Sequence, residues 1–313
     1  MEGKGTMNIS RRDFLRLSLG LSIIPSLNNF LIKDSEAEPA IPNSPSVLVM
    51  VFDGADYRTI MTYPQLFPNL HSLYLTRLDC GGASCTKPGC VQLLTGLEYT
   101  QSKVYDNKLF QPVSLTKTPF YKLALDRPYY CQMLILSKFT HTGDILNRPW
   151  RQVGDWAKAG GMDYYRSPMT NPAFTLEQTN SYFIQACTQF THPGLLICHW
   201  AEPDETGHDT GMDSSEYLEK LITLDALIPT AIDLVQPDVL IVTSDHGFDN
   251  PGAHGHGCAP NAFLASNLPL KEGCIRRDVG YTLHTLLGLS IHLPADPKGY
   301  QPWLHGKSIF VEN

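Results

Sequence analysis

SVLVMVFDG, residues 46–54, is a serine, six apolar residues in a row, and then Asp53-Gly54. An unbroken apolar run with β-branched residues at alternate positions reads as a strand covered on both faces, because a half-exposed strand would alternate apolar with polar. Three later segments share this character: YYCQMLILS at 129–137, GLLICHWAEPD at 194–204 and DVLIVTSDHG at 238–247. Helical patterns lie between them, at roughly 173–189 and 213–235. Strands alternating with helices predict an α/β fold: a mainly parallel sheet with helices on both faces. Such sheets bind ligands beyond the carboxyl ends of their strands. Asp53, Asp204 and Asp245 each follow an apolar run closely, so the three acids are expected to converge on one site.

The 313 residues are 42% hydrophobic and 18% charged, which suits one large globular domain or two modest ones. A formal charge of -7 argues against a nucleic-acid polymer as partner, since polyanion binders present a basic stripe. None of the eight cysteines forms a C-x-x-C pair, so a zinc ribbon is not expected. At the N-terminus, SRRDFLR at 10–16 precedes the modest apolar segment LSLGLSIIPSL at 17–27. This resembles a twin-arginine export signal, which implies the twin-arginine machinery as a partner and a periplasmic or secreted domain. The segment is too short and too interrupted for a span of about 20 residues. No clean A-x-A site stands near EAEPA at 36–40, so cleavage and an uncleaved anchor both stay open. Export would place the cysteines where some can pair. The reading is a signal and linker over 1–43 and one domain over 44–313, in which the Pro-, Tyr- and Trp-rich stretch 108–170 forms loops or a small cap.

The chemistry-bearing residues cluster in EPDETGH at 202–208, SDHG at 244–247 and AHGHG at 253–257. Asp204 and His208, four apart, can grip one ion from a turn or the opening of a helix. Asp245 and His246 stand side by side at a strand end. Carboxylates and imidazoles without thiolates suit zinc well and manganese less well. Each pair alone is common; the ordered set, with Asp53 upstream, is not.

Together with TKPGCVQLLTGL at 86–97, VYDNK at 104–108 and LHGKSIF at 304–310, these clusters resemble the alkaline phosphatase superfamily, in its nucleotide pyrophosphatase/phosphodiesterase-like branch. The resemblance implies two divalent metal ions. One would be held by Asp53, Asp245, His246 and the oxygen of Thr86, the other by Asp204, His208 and a third histidine, His254 or His256. His254 is favoured because it stands six residues before Pro260. Thr86 would be the nucleophile, passing through a covalent phospho-threonine; its plain alternative is the N-cap of the helix that follows. Asn107 would donate to a phosphoryl oxygen, helped by backbone N–H groups at the start of helix 87–96. The implied activity is hydrolysis of small phosphate esters, a phosphodiesterase or nucleotide pyrophosphatase before a monoesterase or phosphonate hydrolase. A non-catalytic, metal-containing binding protein is the alternative from another class.

The sequence also departs from its relatives. A formylglycine sulfatase needs Cys at position 86 and usually Arg at 90, where Thr86 and Cys90 stand. The histidine and glycine that relatives place before the Asp-Asn pair are Ser102 and Lys103. Nothing interrupts the chain between Thr86 and Asp204 with a second domain, which disfavours a phosphoglycerate mutase. Trp150, Trp156, Tyr164 and Tyr165 could stack an aryl group or nucleobase, though packing is the plainer role. His141, His284, His292 and His305 stand outside any cluster, and Lys87 or Lys103 could meet a substrate phosphate.

Overall fold

The computed structural model describes residues 44–81, 85–107, 119, 122–123, 129–138, 162–168, 173–248, 261–291 and 304–311. In chain order its elements are β1 (Val47–Phe52), α1 (Tyr57–Thr62), β2 (Tyr74–Leu78), α2 (Thr86–Thr95), α3 (Tyr99–Ser102), β3 (Cys131–Leu136), β4 (Tyr164–Arg166) and α4 (Leu176–Gln189). They continue with β5 (Gly194–Trp200), α5 (Glu202–Thr210), α6 (Ser215–Asp225), α7 (Leu227–Val235), β6 (Val239–Thr243), β7 (Ala262–Ser266) and α8 (Arg276–Leu286). The seven strands form one sheet in the order β2-β7-β6-β1-β5-β3-β4. Pairing is parallel from β6 through β1, β5 and β3 to β4, and antiparallel where β7 joins β6 and β2.

The apolar run at 46–54 is the centre of this sheet. All six residues of β1 are buried because both faces are covered. Val47, Val49 and Val51 pack with Cys90, Leu93 and Leu94 of α2 and with Val279 and Leu283 of α8. On the other face, Leu48, Met50 and Phe52 pack with Phe183 and Ala186 of α4, Leu221 and Leu224 of α6, and Ala231 of α7. Each such side chain contributes about 1.5–3 kcal/mol of burial.

Register decides where the acids go. Phe52 pairs with Trp200 of β5, and Val51 pairs with Thr243 of β6. Asp53 and Asp245, each two residues beyond Val51 and Thr243, therefore emerge level at the carboxyl edge. Asp204 follows on the first turn of α5, just past β5.

Several expectations change. The stretch 108–170 was expected to be loops or a cap, but Tyr164–Arg166 adds an edge strand to the sheet. Tyr164 is buried, with its hydroxyl donating to Gln185 Oε1 at 2.8 Å, and Tyr165 packs against the core. Neither is an exposed stacking platform. Three residues are too few to show a period of two in sequence. The helix expected over 213–235 is two helices meeting at Ala226; Pro229, which lacks an N–H, is accommodated in the first turn of α7. LHGKSIF closes the fold through a single bridge, Leu270 with Phe310, rather than as a strand. Of the cysteines that export would allow to pair, Cys85, Cys90, Cys131, Cys187, Cys198 and Cys274 are free thiols among the described residues. His284 is buried and His305 exposed. Residues 1–43 with Arg11 and Arg12, and also His141, Trp150, Trp156, His254, His256 and His292, lie outside the described residues. Among the described residues no helix is long and apolar enough to cross a membrane.

Lys103 explains one departure from the family pattern. It caps α3 at φ 62, in the left-handed region where glycine, the relatives' residue there, is unstrained. Lys103→Gly is expected to raise stability by up to about 1 kcal/mol, read as a higher urea midpoint at unchanged slope. A lower midpoint would mean that the Lys103 side chain contributes more than its backbone costs.

Candidate active site

Asp53 leaves β1 into a turn that is only possible with the glycine after it. Gly54 has φ 68, and a Cβ there would stand 2.9 Å from Asp204 Cα. Glycine at 54 thus lets the turn press against α5 and bring two acids together. Tyr217, fully buried on α6, fixes the same turn: its hydroxyl donates to Gly54 O at 2.8 Å and accepts from Asp56 N at 3.0 Å.

Thr86 opens α2 directly opposite. It is not the helix cap, because Cys85 occupies that position and makes no side-chain cap bond. Instead its hydroxyl donates to Asp53 Oδ1 at 3.3 Å and lies 3.2 Å from His246 Nε2. It is 1% exposed, with no other role visible for its oxygen. The register of α2 depends on Gly89, where a Cβ would lie 2.6 Å from Asp245 O and 2.8 Å from Arg276 Nη1.

His246 is the hub of the cluster. Its Nε2 lies 3.2 Å from Asp53 Oδ1, 3.6 Å from Asp245 Oδ2 and 3.7 Å from Asp204 Oδ1. Ligand atoms of Asp53, Asp245 and His246 all fall within 4.8 Å of one another, and all three residues are buried. Beside them, one turn of α5 carries Asp204 Oδ1 to 3.4 Å from His208 Nε2, and His208 faces partly outward. The structure therefore brings together Asp53, Thr86, Asp204, His208, Asp245 and His246. His254 and its alternative His256 fall outside the described residues.

Asn107 stands beside the start of α2. Its Oδ1 accepts from Lys87 N at 3.0 Å, so this N–H of the helix start is taken up in orienting Asn107. The amide is held with its carbonyl spent and Nδ2 left as its donor. Lys87 is buried and Lys103 exposed.

Two residues that the motifs did not flag complete the cluster. Lys138, two residues past β3, places Nζ 3.3 Å from Asp53 Oδ2 and 3.1 Å from Asp204 Oδ2. His199, the penultimate residue of β5, has Nε2 3.6 Å from Asp53 Oδ2, buried and without a hydrogen bond. The carboxyl-end rule would have reached Lys138, because it is the first charged residue after the run at 129–137.

Charge packed this tightly out of water shifts five of these groups. Burial works to raise the Asp53 pKa, but the Lys138 ammonium, the His246 hydrogen bond and His199 outweigh it and hold the carboxyl well below its usual range. Burial, then the charge of Asp53, pushes Asp245 up to about 8. His246 is raised to about 10: burial opposes its charge, but Asp245, Asp53 and Asp204 surround it. Burial pushes His199 down to about 4, keeping it neutral. Burial of Lys138 is overcome by Asp53, Asp204 and Glu205, which raise it. Buried carboxylates gathered this closely are groups that divalent cations pair with. The oxygen and nitrogen donors fit zinc or manganese, and the clustered, buried ligand atoms of Asp53, Asp245 and His246 fit one ion.

The type I phosphodiesterase / nucleotide pyrophosphatase family model matches residues 47–265, which span β1 through nearly all of β7 and include every one of these described side chains. Among curated proteins, GPI ethanolamine phosphate transferase 3 of Schizosaccharomyces pombe is 30% identical over 103 residues, 30% of this chain and 11% of that protein. The chain spans about a tenth of the length of the curated relatives it matches. Among solved structures, alkaline phosphatase from the Antarctic bacterium TAB5 matches with TM-score 0.58 at 11% identity, covering 79% of this chain and 99% of that one. Murine ectonucleotide pyrophosphatase / phosphodiesterase 5, an inactive form in complex with AMP, matches with TM-score 0.54 at 16% identity, covering 80% and 97%. At these identities the structural likeness is one of fold.

Proposed function

The chain belongs to the type I phosphodiesterase / nucleotide pyrophosphatase family, and from that premise we propose that it hydrolyses small phosphodiesters through a covalent threonine intermediate. The observation that carries this reading is the placement of Thr86: a buried hydroxyl at a helix start, 3.3 Å from Asp53 and 3.2 Å from His246. Asp53, Asp245, His246 and the Thr86 oxygen would hold one divalent ion, and Asp204, His208 and His254 a second. Such ions, most simply zinc, supply Lewis acidity toward the phosphoryl and leaving oxygens.

The chain's own residues do the rest. The Thr86 hydroxyl proton points at Asp53 Oδ1, which turns an oxygen lone pair away from that carboxylate. Attack by this oxygen on phosphorus forms the Thr86 Oγ–P bond and breaks the bond to one ester oxygen. The leaving alcohol takes up the equivalent of the proton that Thr86 gives up, and the remaining ester group stays on phosphorus. Water then forms a new P–O bond, releases Thr86 Oγ and yields a monoester. Asn107, clamped through Lys87 N, presents its Nδ2 hydrogens to a phosphoryl oxygen as charge builds there. Asn107→Ala is expected to lower kcat by about 10²–10³ with little change in stability. A loss below threefold would remove Asn107 from the reaction.

Diesters are favoured over monoesters. A dianionic monoester gains more from a guanidinium fork, but Cys90 stands where sulfatase-like relatives carry that arginine. Lys138 is a cation near the site, yet its ammonium is committed to Asp53 and Asp204. The expected result is a several-fold higher kcat/KM for a bis-aryl phosphate than for the matching aryl monoester. Activity with both should be lost to a chelator and recovered with zinc. A clear monoester preference would contradict the diesterase reading and leave the threonine mechanism standing.

A further inference from the structure

Successive side chains of β5 point to opposite faces of the sheet. Cys198 and Trp200 join the core on the α4 side, whereas Leu195 and Ile197 join the core on the α2 side. His199 falls in step with Leu195 and Ile197 and pairs in register with Val51, so it stands on the α2 face, where both Val51 and Ile197 are apolar. It is 2% exposed, and its Nε2 is buried with no hydrogen bond. A polar atom left unsatisfied in such a place costs about 1–3 kcal/mol. On α2, Cys90 lies one turn beyond Thr86 and on the same side of the helix. Its Sγ donates to Asp245 Oδ2 at 3.9 Å. Asp245 Oδ1 accepts from Gly54 N at 3.2 Å, so Oδ2 is the oxygen turned to Cys90, and the same oxygen lies 3.6 Å from His246 Nε2. Among the described residues, Cys90, His199 and Asp245 each offer one ligand atom, all within 4.8 Å of one another, and all three residues are buried.

We propose that Cys90, His199 and Asp245 form a thiolate-bearing zinc site, joined to the Asp53–Asp245–His246 group through the shared Asp245 carboxylate. One sulfur, one imidazole nitrogen and one carboxylate oxygen suit zinc, and the sulfur disfavours magnesium, calcium and manganese. Tetrahedral zinc sets a sulfur and an oxygen ligand about 3.5 Å apart, so the 3.9 Å between Cys90 Sγ and Asp245 Oδ2 needs little adjustment. As the ion binds, the Cys90 S–H bond gives way to an S–Zn bond and its proton leaves to solvent. His199 contributes a nitrogen lone pair, which accounts for a histidine where the strand face is otherwise apolar. The ion's role is positioning: bound to Asp245, it fixes the rotation of a carboxylate that the neighbouring group also uses.

The inference goes beyond the hydrolase reading, and its test reads no turnover, so either can fail without the other. Full-length protein would be stripped with a chelator and loaded with Co²⁺, whose bond to a thiolate gives an intense near-ultraviolet charge-transfer band that oxygen and nitrogen ligands do not give. Wild type is expected to show this band. It should vanish in Cys90→Ala and in His199→Leu, and persist in Cys85→Ser and Cys258→Ser. After equilibrium dialysis against Zn²⁺, elemental analysis should count one ion fewer per chain in Cys90→Ala and in His199→Leu than in wild type. Should Cys90→Ala fail to fold, His199→Leu carries the test, because leucine matches the apolar side chains beside it. Cobalt-loaded wild type without the band would overturn the proposal. So would a band that survives either substitution, or that depends on Cys85 or Cys258 instead. A zinc count equal to wild type in either variant would leave the His199 nitrogen to a buried water and overturn it as well.

Discussion

Thr86→Ala is expected to lower kcat by about 10⁴-fold or more while the protein stays folded, since removing a nucleophile removes the covalent path altogether. The physical case is the lack of any competing role for the hydroxyl. Thr86 sits one residue inside α2, so capping falls to Cys85, and its oxygen meets only Asp53 and His246 among the described side chains. Alanine keeps the backbone and Cβ, removes only the hydroxyl and one methyl group, and is a better helix former, so the helix should lose little. Thr86→Ser restores the hydroxyl and is expected to recover much of the rate. Thermal unfolding and far-UV spectra distinguish a dead but folded variant from a collapsed one. A Thr86→Ala protein that retains more than a hundredth of wild-type turnover would exclude the nucleophile assignment.

The largest expected effect on stability lies at Arg276. This arginine is wholly buried at the start of α8 and holds together elements far apart in sequence. It donates to Cys80 O from Nη2 at 2.6 Å, to Gln92 Oε1 from Nε at 3.1 Å and to Asp245 O from Nη1 at 2.6 Å. Truncating it would strip those acceptors of a buried charged donor, a cost of about 3–5 kcal/mol. Arg276→Met keeps most of the apolar bulk, so the loss measured is that of the hydrogen bonds. Because one bond anchors the Asp245 peptide, metal retention should fall with stability. A urea midpoint within about 1 kcal/mol of wild type would show that these bonds are replaceable by water.

Arg276 also marks the limit of what the sequence discloses. The string CIRRDVG gives no sign that Arg276 is buried and Arg277 is not, because that difference arises from the packing of α8 on α2 and the strand end. The central sheet is different. Four largely apolar runs carry their own evidence, since a strand covered on both faces takes apolar residues at successive rather than alternate positions. From those runs and their carboxyl ends the acids Asp53, Asp204 and Asp245 could be placed at one site; the register sets Asp53 and Asp245 level, and Asp204 follows on the first turn of α5. Strands β2 and β4 were not visible, being an exposed edge strand and one of three residues, in which packing leaves little periodic trace. Lys138 was legible in principle, two residues past β3. His199 was not, because a histidine within an apolar strand reads the same whether it faces a core or a site.

The central claim is that Thr86 becomes covalently bonded to the substrate's phosphorus, and that bond can be seen directly. Metal-replete enzyme would be mixed with a phosphodiester bearing a label on the group retained by phosphorus, quenched in acid within one turnover, digested and read by mass spectrometry. The account predicts the labelled phosphoryl group on the peptide that contains Thr86, at that residue, absent from Thr86→Ala and chased away by a longer reaction time. Label on another residue, or full turnover with no labelled peptide at any quench time, would contradict it.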